Sequence, residues 1–421
     1  MEERSRHFSG QGLRRQDAGG PHGSRYRRAT AALTGWSLVA LLAAGCTATP
    51  APTPSATGGA TATKTPYKLG AVLSLTGTYA GLVTPEKNVI GMEVARINAA
   101  GGVNGHPIDV VIEDDGTDVA KAAAATTKLV AQDKVLAILG ATGSGQTMAM
   151  RGEIDKAAIP QVSMAGATVI TKQFDKLVFQ TPWSNTLVLP FELEYMQSKG
   201  VKKLALISDS SAFGKDGIAV AKATMPKFGI TVAAEETFNP GDTDMTAQVT
   251  KIKAANPDAI LLVNAGKEAA TVVKEVQQLA IKAPVYGTHG NARKEFIDGA
   301  GAAAEGFTFA AGKVLVPDAY GTGTLAFTVA ADFINRYTNG FGSLPSTFAG
   351  HAYDALYITV EAMKRLPEGF TSAQLRDEIE KTSGFVGIGG TFTFSPTDHN
   401  GMTEKDLVMY TITGGKWVLA K

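Results

Sequence analysis

Residues 68–75 read KLGAVLSL, and they begin the pattern that decides the fold. This apolar run has the length and composition of a buried β-strand, and residues 86–99 follow it with apolar side chains at helical spacing. A second run at 108–112, an alanine-rich stretch at 119–132 and a third run at 135–139 repeat the alternation. Short apolar strands that alternate with helices are typical of parallel sheets covered on both faces. The sequence therefore predicts an α/β fold.

The same alternation restarts further along the chain. Its predicted strands lie at residues 204–207, 232–237, 260–263 and 285–286. About 350 residues exceed what one hydrophobic core usually supports, so we expect two doubly wound lobes. Ligands on such sheets bind beyond the carboxyl ends of the strands, and in two lobes those ends can face each other across a cleft. Helices at 325–338, 351–365 and 372–381, followed by strands at 391–394 and 407–412, suggest that the chain passes back between the lobes.

The composition excludes several classes of protein. Lys and Arg total 40 against 39 for Asp and Glu, and this near-neutral balance argues against a nucleic-acid partner. The six histidines show no HxxxH or HExxH spacing, and no Gly-x-Ser-x-Gly motif is present. We therefore expect a protein without a metal, cofactor or enzymatic activity.

The N-terminal region resembles an export signal. Three arginines between positions 25 and 28 precede an apolar stretch at 29–44, which runs into LAAGC at 42–46. A charged region, a short apolar region and small residues before the cut are the parts of a secretory signal. Cys46, the single cysteine of the chain, follows directly and can carry a thioether-linked lipid. The sequence thus predicts a lipoprotein signal peptide over residues 1–45 and an extracytoplasmic protein anchored to a membrane through Cys46.

Two alternatives to this N-terminal assignment can be weighed. A transmembrane helix needs roughly 20 apolar residues, whereas Thr34, Gly35 and Ser37 interrupt this stretch. An ordinary signal peptide with a chance cysteine is the second alternative. Residues 46–66 contain proline and small residues without large apolar side chains, which predicts a flexible tether.

A series of short motifs occurs in a fixed order between Tyr67 and Lys421. It consists of LTG (75–77), INAAGGVNG (97–105), EDD (113–115), GDTD (241–244), NPDA (256–259), AAEG (303–306) and AYDA (352–355). This series resembles the branched-chain amino-acid-binding proteins of ABC transporters. The resemblance implies a type 1 periplasmic-binding fold, in which two lobes close around a solute by a hinge motion.

The resemblance also implies three chain crossings between the lobes. We expect them near residues 183–187, 310–314 and 385–390. The first lobe would then comprise residues 67–186 and 313–387, and the second lobe residues 187–312 and 388–421.

A glycine-rich turn follows the third predicted strand. Residues 140–146 read GATGSGQ, and a helix starting at Gly145 would direct its positive end toward a bound carboxylate. The resemblance assigns Ser144 to the solute carboxylate, and it assigns the main chain of Gly166 and the hydroxyl of Thr168 to the same head group. Ordinary turn and cap chemistry is the alternative for each of these residues.

Two aromatic residues complete the pocket that the resemblance implies. Phe213 matches an aromatic residue that closes over the ligand, and Tyr353 matches a tyrosine that lines the pocket; either could instead be a core residue. The loop at 78–85 is about two residues longer than the usual pattern. Its pocket residue is therefore either Tyr79 or Thr84.

His289 is a departure from the family pattern. The amino-acid binders place an acidic residue at this position to pair with the ammonium group of the solute. A histidine is mostly neutral at pH 7 and positive when charged, so it cannot replace a carboxylate. Either another acid supplies the charge, or the solute has no ammonium group, or His289 caps a loop.

The predicted function is that of a lipid-anchored receptor that captures a small carboxylate and delivers it to an ABC permease. Branched-chain or other apolar amino acids are the default ligands of the family. Aromatic or short organic acids without an ammonium group are one alternative. A ligand-sensing protein that acts with a partner in trans is another.

Overall fold

The computed structural model describes residues 64–172 and 175–421. The predicted signal peptide, Cys46 and the predicted tether up to residue 63 lie outside these residues. Across the described ranges, no helix is both long enough and apolar enough to cross a membrane.

Strands and helices alternate along the described chain. The strands are β1 (Tyr67–Leu73), β2 (Ile108–Asp114), β3 (Ile138–Gly140), β4 (Gln161–Ser163), β5 (Val178–Gln180), β6 (Lys203–Asp209), β7 (Thr231–Phe238), β8 (Ala259–Val263), β9 (Val285–Tyr286), β10 (Thr308–Gly312), β11 (Phe385–Val386), β12 (Thr391–Phe392), β13 (Leu407–Thr413) and β14 (Lys416–Leu419). The helices are α1 (Ala80–Ala99), α2 (Val119–Lys128), α3 (Ser144–Ala157), α4 (Val169–Lys172), α5 (Asn185–Ser198), α6 (Ala212–Thr224), α7 (Thr246–Ala255), α8 (Glu268–Gln278), α9 (Lys294–Ala300), α10 (Leu325–Phe341), α11 (Thr347–Lys364) and α12 (Ser372–Glu380).

The strands confirm the predicted α/β fold with parallel sheets in two lobes. One sheet has the order β2-β1-β3-β4-β5, and all of its pairings are parallel. A second sheet has the order β14-β13-β10-β9-β8-β6-β7, in which β13 and β14 join the parallel strands as an antiparallel edge. We call the region around the first sheet the first lobe and the region around the second sheet the second lobe.

The segment at 78–85 is not the extended loop that the sequence pattern suggested. Helix α1 begins at Ala80, six residues before the predicted start, and it contains Pro85. A proline removes one bond of the helical ladder, which is why the sequence pattern placed the boundary after it. Starting α1 early brings Tyr79 and Leu82 to the edge of the cleft.

Helix α11 is buried on nearly every face, unlike a surface helix with one apolar stripe. It packs against α1 and α12 and also contacts strands β3 and β4. The N-terminal half of this buried helix consequently reaches the region between the sheets, where it presents Phe348 and His351.

Trp183 lies where the predicted crossings meet. Its side chain is buried, and Gly312 and Gly389 approach it from the two later crossings. A Cβ atom built on Gly312 would lie 2.0 Å from Cζ2 of Trp183, so only glycine fits there. The hydroxyl of Tyr410 donates to the carbonyl oxygen of Gly312 and ties β13 to the same point.

Residues 394–400 belong with the first lobe by their contacts. His399 stacks on Phe179 of β5 with ring centroids 4.0 Å apart, and Asn400 donates to the carbonyl oxygen of Gln180. The resemblance placed the third crossing at 385–390, and the local sequence gives no sign of these side-chain contacts. We therefore propose a third crossing after Asn400, and we retain the other two crossings as proposed.

Candidate functional site

A cavity of about 370 Å³, including space open to solvent, lies between the two lobes. The first lobe contributes Tyr79, Leu82, Thr142, Gly143, Ser144, Met164, Ala165, Gly166, Pro182, Phe348 and His351. The second lobe contributes Phe213, Ala265, His289 and Gly290. The cavity combines apolar walls with a few polar groups, and this mixture is typical of small-molecule sites.

Ser144 occupies the first turn of α3, a helix of 14 residues that starts directly after β3 and a short turn. The first backbone bond of this turn runs from the amide of Thr147 to the carbonyl oxygen of Gly143, which leaves the three preceding amides outside the helical ladder. The hydroxyl oxygen of Ser144 accepts from the amide of Ala167 at 3.2 Å, so its proton is free to be donated elsewhere. Amides and a hydroxyl at a helix N-terminus suit a carboxylate.

Thr142 connects the cavity to a buried carboxyl group. Its hydroxyl donates to Oε2 of Glu86 at 2.7 Å. Glu86 is fully buried, and this burial raises its pKa well above the usual range, with a smaller contribution from Asp115. Within the described residues, Oε1 of Glu86 has no hydrogen-bond partner. Glu86 itself does not line the cavity.

Two histidines face the cavity from opposite lobes. His289 opens a short 3-10 turn after β9, and His351 lies in α11. The ring of His289 lies 5.2 Å from that of Phe213, and both histidine rings make edge-to-face contacts with Trp183. Burial lowers the pKa of each imidazole to about 3, so both are neutral near pH 7.

The structure brings four of the six predicted ligand residues to the cavity. Ser144, Gly166, Phe213 and His289 line it. Their contacts with a ligand stay predictions, but their shared location supports the predicted site at the carboxyl ends of the first-lobe strands.

Thr168 does not line the cavity. Its hydroxyl oxygen accepts from the amide of Thr186 at 3.2 Å, and its own amide donates to Asp216 of α6 at 2.8 Å. Asp216 also accepts from Asn185, so its carboxylate holds a first-lobe amide against the second lobe. Thr168 thus joins the lobes beside the cleft, and the hydroxyl that the resemblance assigned to the head group accepts a backbone hydrogen bond instead.

Tyr353 also lies away from the cavity. It packs against Phe333 and Tyr357, with ring centroids 5.0 and 4.4 Å apart. Successive residues of a helix are about 100° apart, so Tyr353 and His351 point to nearly opposite faces of α11. The prediction selected the correct helix and the wrong face.

Several cavity residues escaped the sequence prediction. Of the two alternatives for the first segment, Tyr79 lines the cavity, whereas the hydroxyl of Thr84 donates back to Ala80 inside α1. His351 and Phe348 lie on one face of α11, and only the register of that helix against the sheet could have identified them. Among the described residues, no acidic side chain lines the cavity, and none cluster as metal ligands.

Comparisons with known proteins agree with this architecture. A family model described as periplasmic binding protein matches residues 66–416. An extracellular ligand-binding receptor from Rhodopseudomonas palustris is 26% identical, with 84% of this chain and 99% of that chain covered and a TM-score of 0.79. The branched-chain amino acid transporter substrate-binding protein LivJ from Streptococcus pneumoniae, in complex with isoleucine, is 30% identical, with 85% and 99% covered and a TM-score of 0.75.

A curated relative extends the comparison. The leucine-, isoleucine-, valine-, threonine- and alanine-binding protein of Pseudomonas aeruginosa is 26% identical over 303 residues, which are 70% of this chain and 79% of that protein. Two lobes with a cavity between their sheets are the architecture of a solute-binding protein. The chain belongs to the periplasmic binding protein family, in its type 1, branched-chain amino-acid-binding group.

Proposed function

We propose that the protein is the solute-binding component of an ABC importer and captures a small carboxylate with an apolar skeleton. The observation that carries this proposal is the cavity between the lobes, where the first turn of α3 and the hydroxyl of Ser144 face apolar walls. Apolar contacts come from both lobes, through Leu82, Met164 and Phe348 on one side and Phe213 on the other. Such a ligand would stabilise the closed arrangement by touching both lobes at once.

Branched-chain amino acids are the first ligands to test. The Streptococcus pneumoniae relative was solved with isoleucine, and the Pseudomonas aeruginosa relative is described as binding leucine, isoleucine, valine, threonine and alanine. A second class, small acids without an ammonium group, is favoured by His289, which stands where the family pattern has an acid.

A thermal-shift screen of amino acids against aliphatic and aromatic acids tests the proposal. A ligand present at 100 times its dissociation constant should stabilise the protein by about 2.7 kcal/mol, which such a screen detects. A screen in which no carboxylate raises the melting temperature would contradict the proposed function.

We further propose that Cys46 carries a lipid and that the protein lies outside the cytoplasm. There it would deliver the solute to membrane-embedded permease subunits. The motif at 42–46 supports the anchor, and the family supports the location. Fractionation of cells that express Cys46→Ser tests the anchor: the variant should leave the membrane fraction, and its retention there would refute lipid attachment.

Ser144→Ala should weaken ligand binding by about 1 to 3 kcal/mol, because a buried carboxylate would lose a hydrogen-bond donor. Titration calorimetry with the best ligand of the screen measures this change. Ser198→Ala is a matched control, since that hydroxyl is exposed and donates only to the carbonyl oxygen of Tyr195 in its own helix. Equal affinities for the two variants would remove Ser144 from the site.

A further inference from the structure

The two histidines of the cavity have more hydrogen-bonding capacity than the described residues satisfy. His289 is 4% exposed and His351 is 1% exposed. Within residues 64–172 and 175–421, neither ring nitrogen of His289 has a hydrogen-bond partner, and Nδ1 of His351 has none. Buried polar groups are usually paired, so unpaired nitrogens that border a cavity point to a ligand.

A structural role does not account for His289. The turn at His289–Asn291 is capped by its neighbours: the hydroxyl of Thr288 accepts from the amide of Gly290, and the side-chain oxygen of Asn291 accepts from the amide of Thr288. The imidazole takes no part in this capping, and it extends toward Gly166 of the opposite lobe. The alternative that His289 caps a loop is therefore not supported, because Thr288 and Asn291 cap this turn.

His351 is held in a fixed position by aromatic contacts. Its ring lies 5.0 Å from Trp183 and 5.8 Å from Phe348, edge to face in both cases. His289 contacts the same indole at 6.3 Å. The two imidazoles therefore contact one rigid ring, and each is supplied by a different lobe.

We propose that His289 and His351 together select the ligand through an uncharged oxygen, a hydroxyl or keto group, so that the ligand is a small hydroxy- or oxo-carboxylate and not an amino acid. This inference rests on the proposed function, because it assumes that a carboxylate binds at Ser144. A neutral imidazole offers one N–H donor and one lone pair. A hydroxyl group can accept from that donor or donate to that lone pair, and a keto oxygen can accept from the donor. An ammonium group offers only donors, and it brings a positive charge.

That charge would have no carboxylate beside it. Among the described residues, the cavity lining includes no Asp or Glu, and Glu86 lies behind Thr142. Burial of Glu86 also favours its protonated form. An isolated charge is unfavourable in a buried site, so the site discriminates against the ammonium group.

Matched ligands test the inference on the purified protein. The first set is leucine, 2-hydroxy-4-methylpentanoate, 2-oxo-4-methylpentanoate and 4-methylpentanoate, which differ at one carbon. The second set is phenylalanine, phenyllactate, phenylpyruvate and 3-phenylpropanoate. In at least one set, titration calorimetry should show the hydroxy or oxo acid binding at least tenfold more tightly than both the amino acid and the unsubstituted acid.

Two variants test whether His351 determines the preference for the hydroxy or oxo acid. His351→Phe keeps an aromatic ring without nitrogens, so it should reduce the preference for the oxygen-bearing acid over the unsubstituted acid to within threefold. His351→Gln retains a donor and an acceptor, so it should recover part of the preference. Melting temperatures of both variants show whether each is folded.

Different outcomes refute different claims. If no member of either set binds, the proposed function fails, and this inference fails with it. If carboxylates bind but the amino acid binds as tightly as its oxygen analogues, the inference alone is overturned. If the Glu86→Gln variant then no longer bound the amino acid, Glu86 would be identified as the carboxylate that pairs with the ammonium group.

Discussion

Replacing Gly166 with alanine is expected to weaken ligand binding by at least about a hundredfold, or roughly 2.7 kcal/mol. A Cβ atom at this position would lie 2.4 Å from Nε2 of His289 and 3.3 Å from the carbonyl oxygen of Trp183. The imidazole cannot easily move aside, because Phe213 and Trp183 contact it. The added methyl group therefore opposes the approach of the second lobe to the first.

The control for this substitution is Gly152→Ala in α3, where a Cβ atom would meet nothing within 4 Å. The ligand affinity of the Gly152→Ala variant should match that of the unmodified protein. Adding His289→Ala to Gly166→Ala should recover part of the lost affinity, because the colliding side chain is removed. Wild-type affinity in Gly166→Ala would show that the lobes can close without this contact.

Ligand affinity is expected to fall steeply as the pH is lowered from 7.5 to 5. In the closed arrangement burial lowers the pKa of His289 and His351 to about 3, whereas an imidazole exposed by opening has the ordinary value of 6.5. Between these values the open form binds protons that the closed form does not, so acidification favours opening. Closure is unaffected above pH 6.5 and is progressively weakened below it.

The size of this effect follows from the difference in pKa. At pH 5, each histidine should weaken closure by roughly 30-fold, since each pH unit below 6.5 corresponds to about 1.4 kcal/mol. Calorimetric titrations across this range measure it, and His289→Asn/His351→Asn should show a much flatter profile. Binding that tightens at low pH would instead mean that charged imidazoles pair with a second carboxylate of the ligand.

The fold was largely predictable because its signals are local. Apolar strands such as β1 and β8 are buried along most of their length, so alternation with helices alone indicated parallel sheets. The assignment of residues 394–400 was harder, because it depends on side-chain contacts such as that of His399 with Phe179, which connect segments far apart in the chain.

The site was predictable where the backbone determines it. Ser144 follows a strand and begins a helix, and its location depends only on that junction. The contributions of Tyr79 and His351 depend on where α1 starts and how α11 is rotated, which local sequence patterns do not specify. Thr168 was misplaced for a related reason, since its turn lies near the cleft but its polar atoms bond to α5 and α6.

The position of Trp183 also gives the protein an optical property. Its indole contacts His351 in the first lobe and His289 in the second, and it lies against Gly312 and Gly389. Of the described residues, only Trp417, in the edge strand β14, has another indole. Indole emission responds to neighbouring imidazoles and to water, so the fluorescence of Trp183 depends on the separation of the lobes. We therefore expect Trp183 to act as an intrinsic reporter between the lobes, through which opening and closing can be followed in real time without an attached dye.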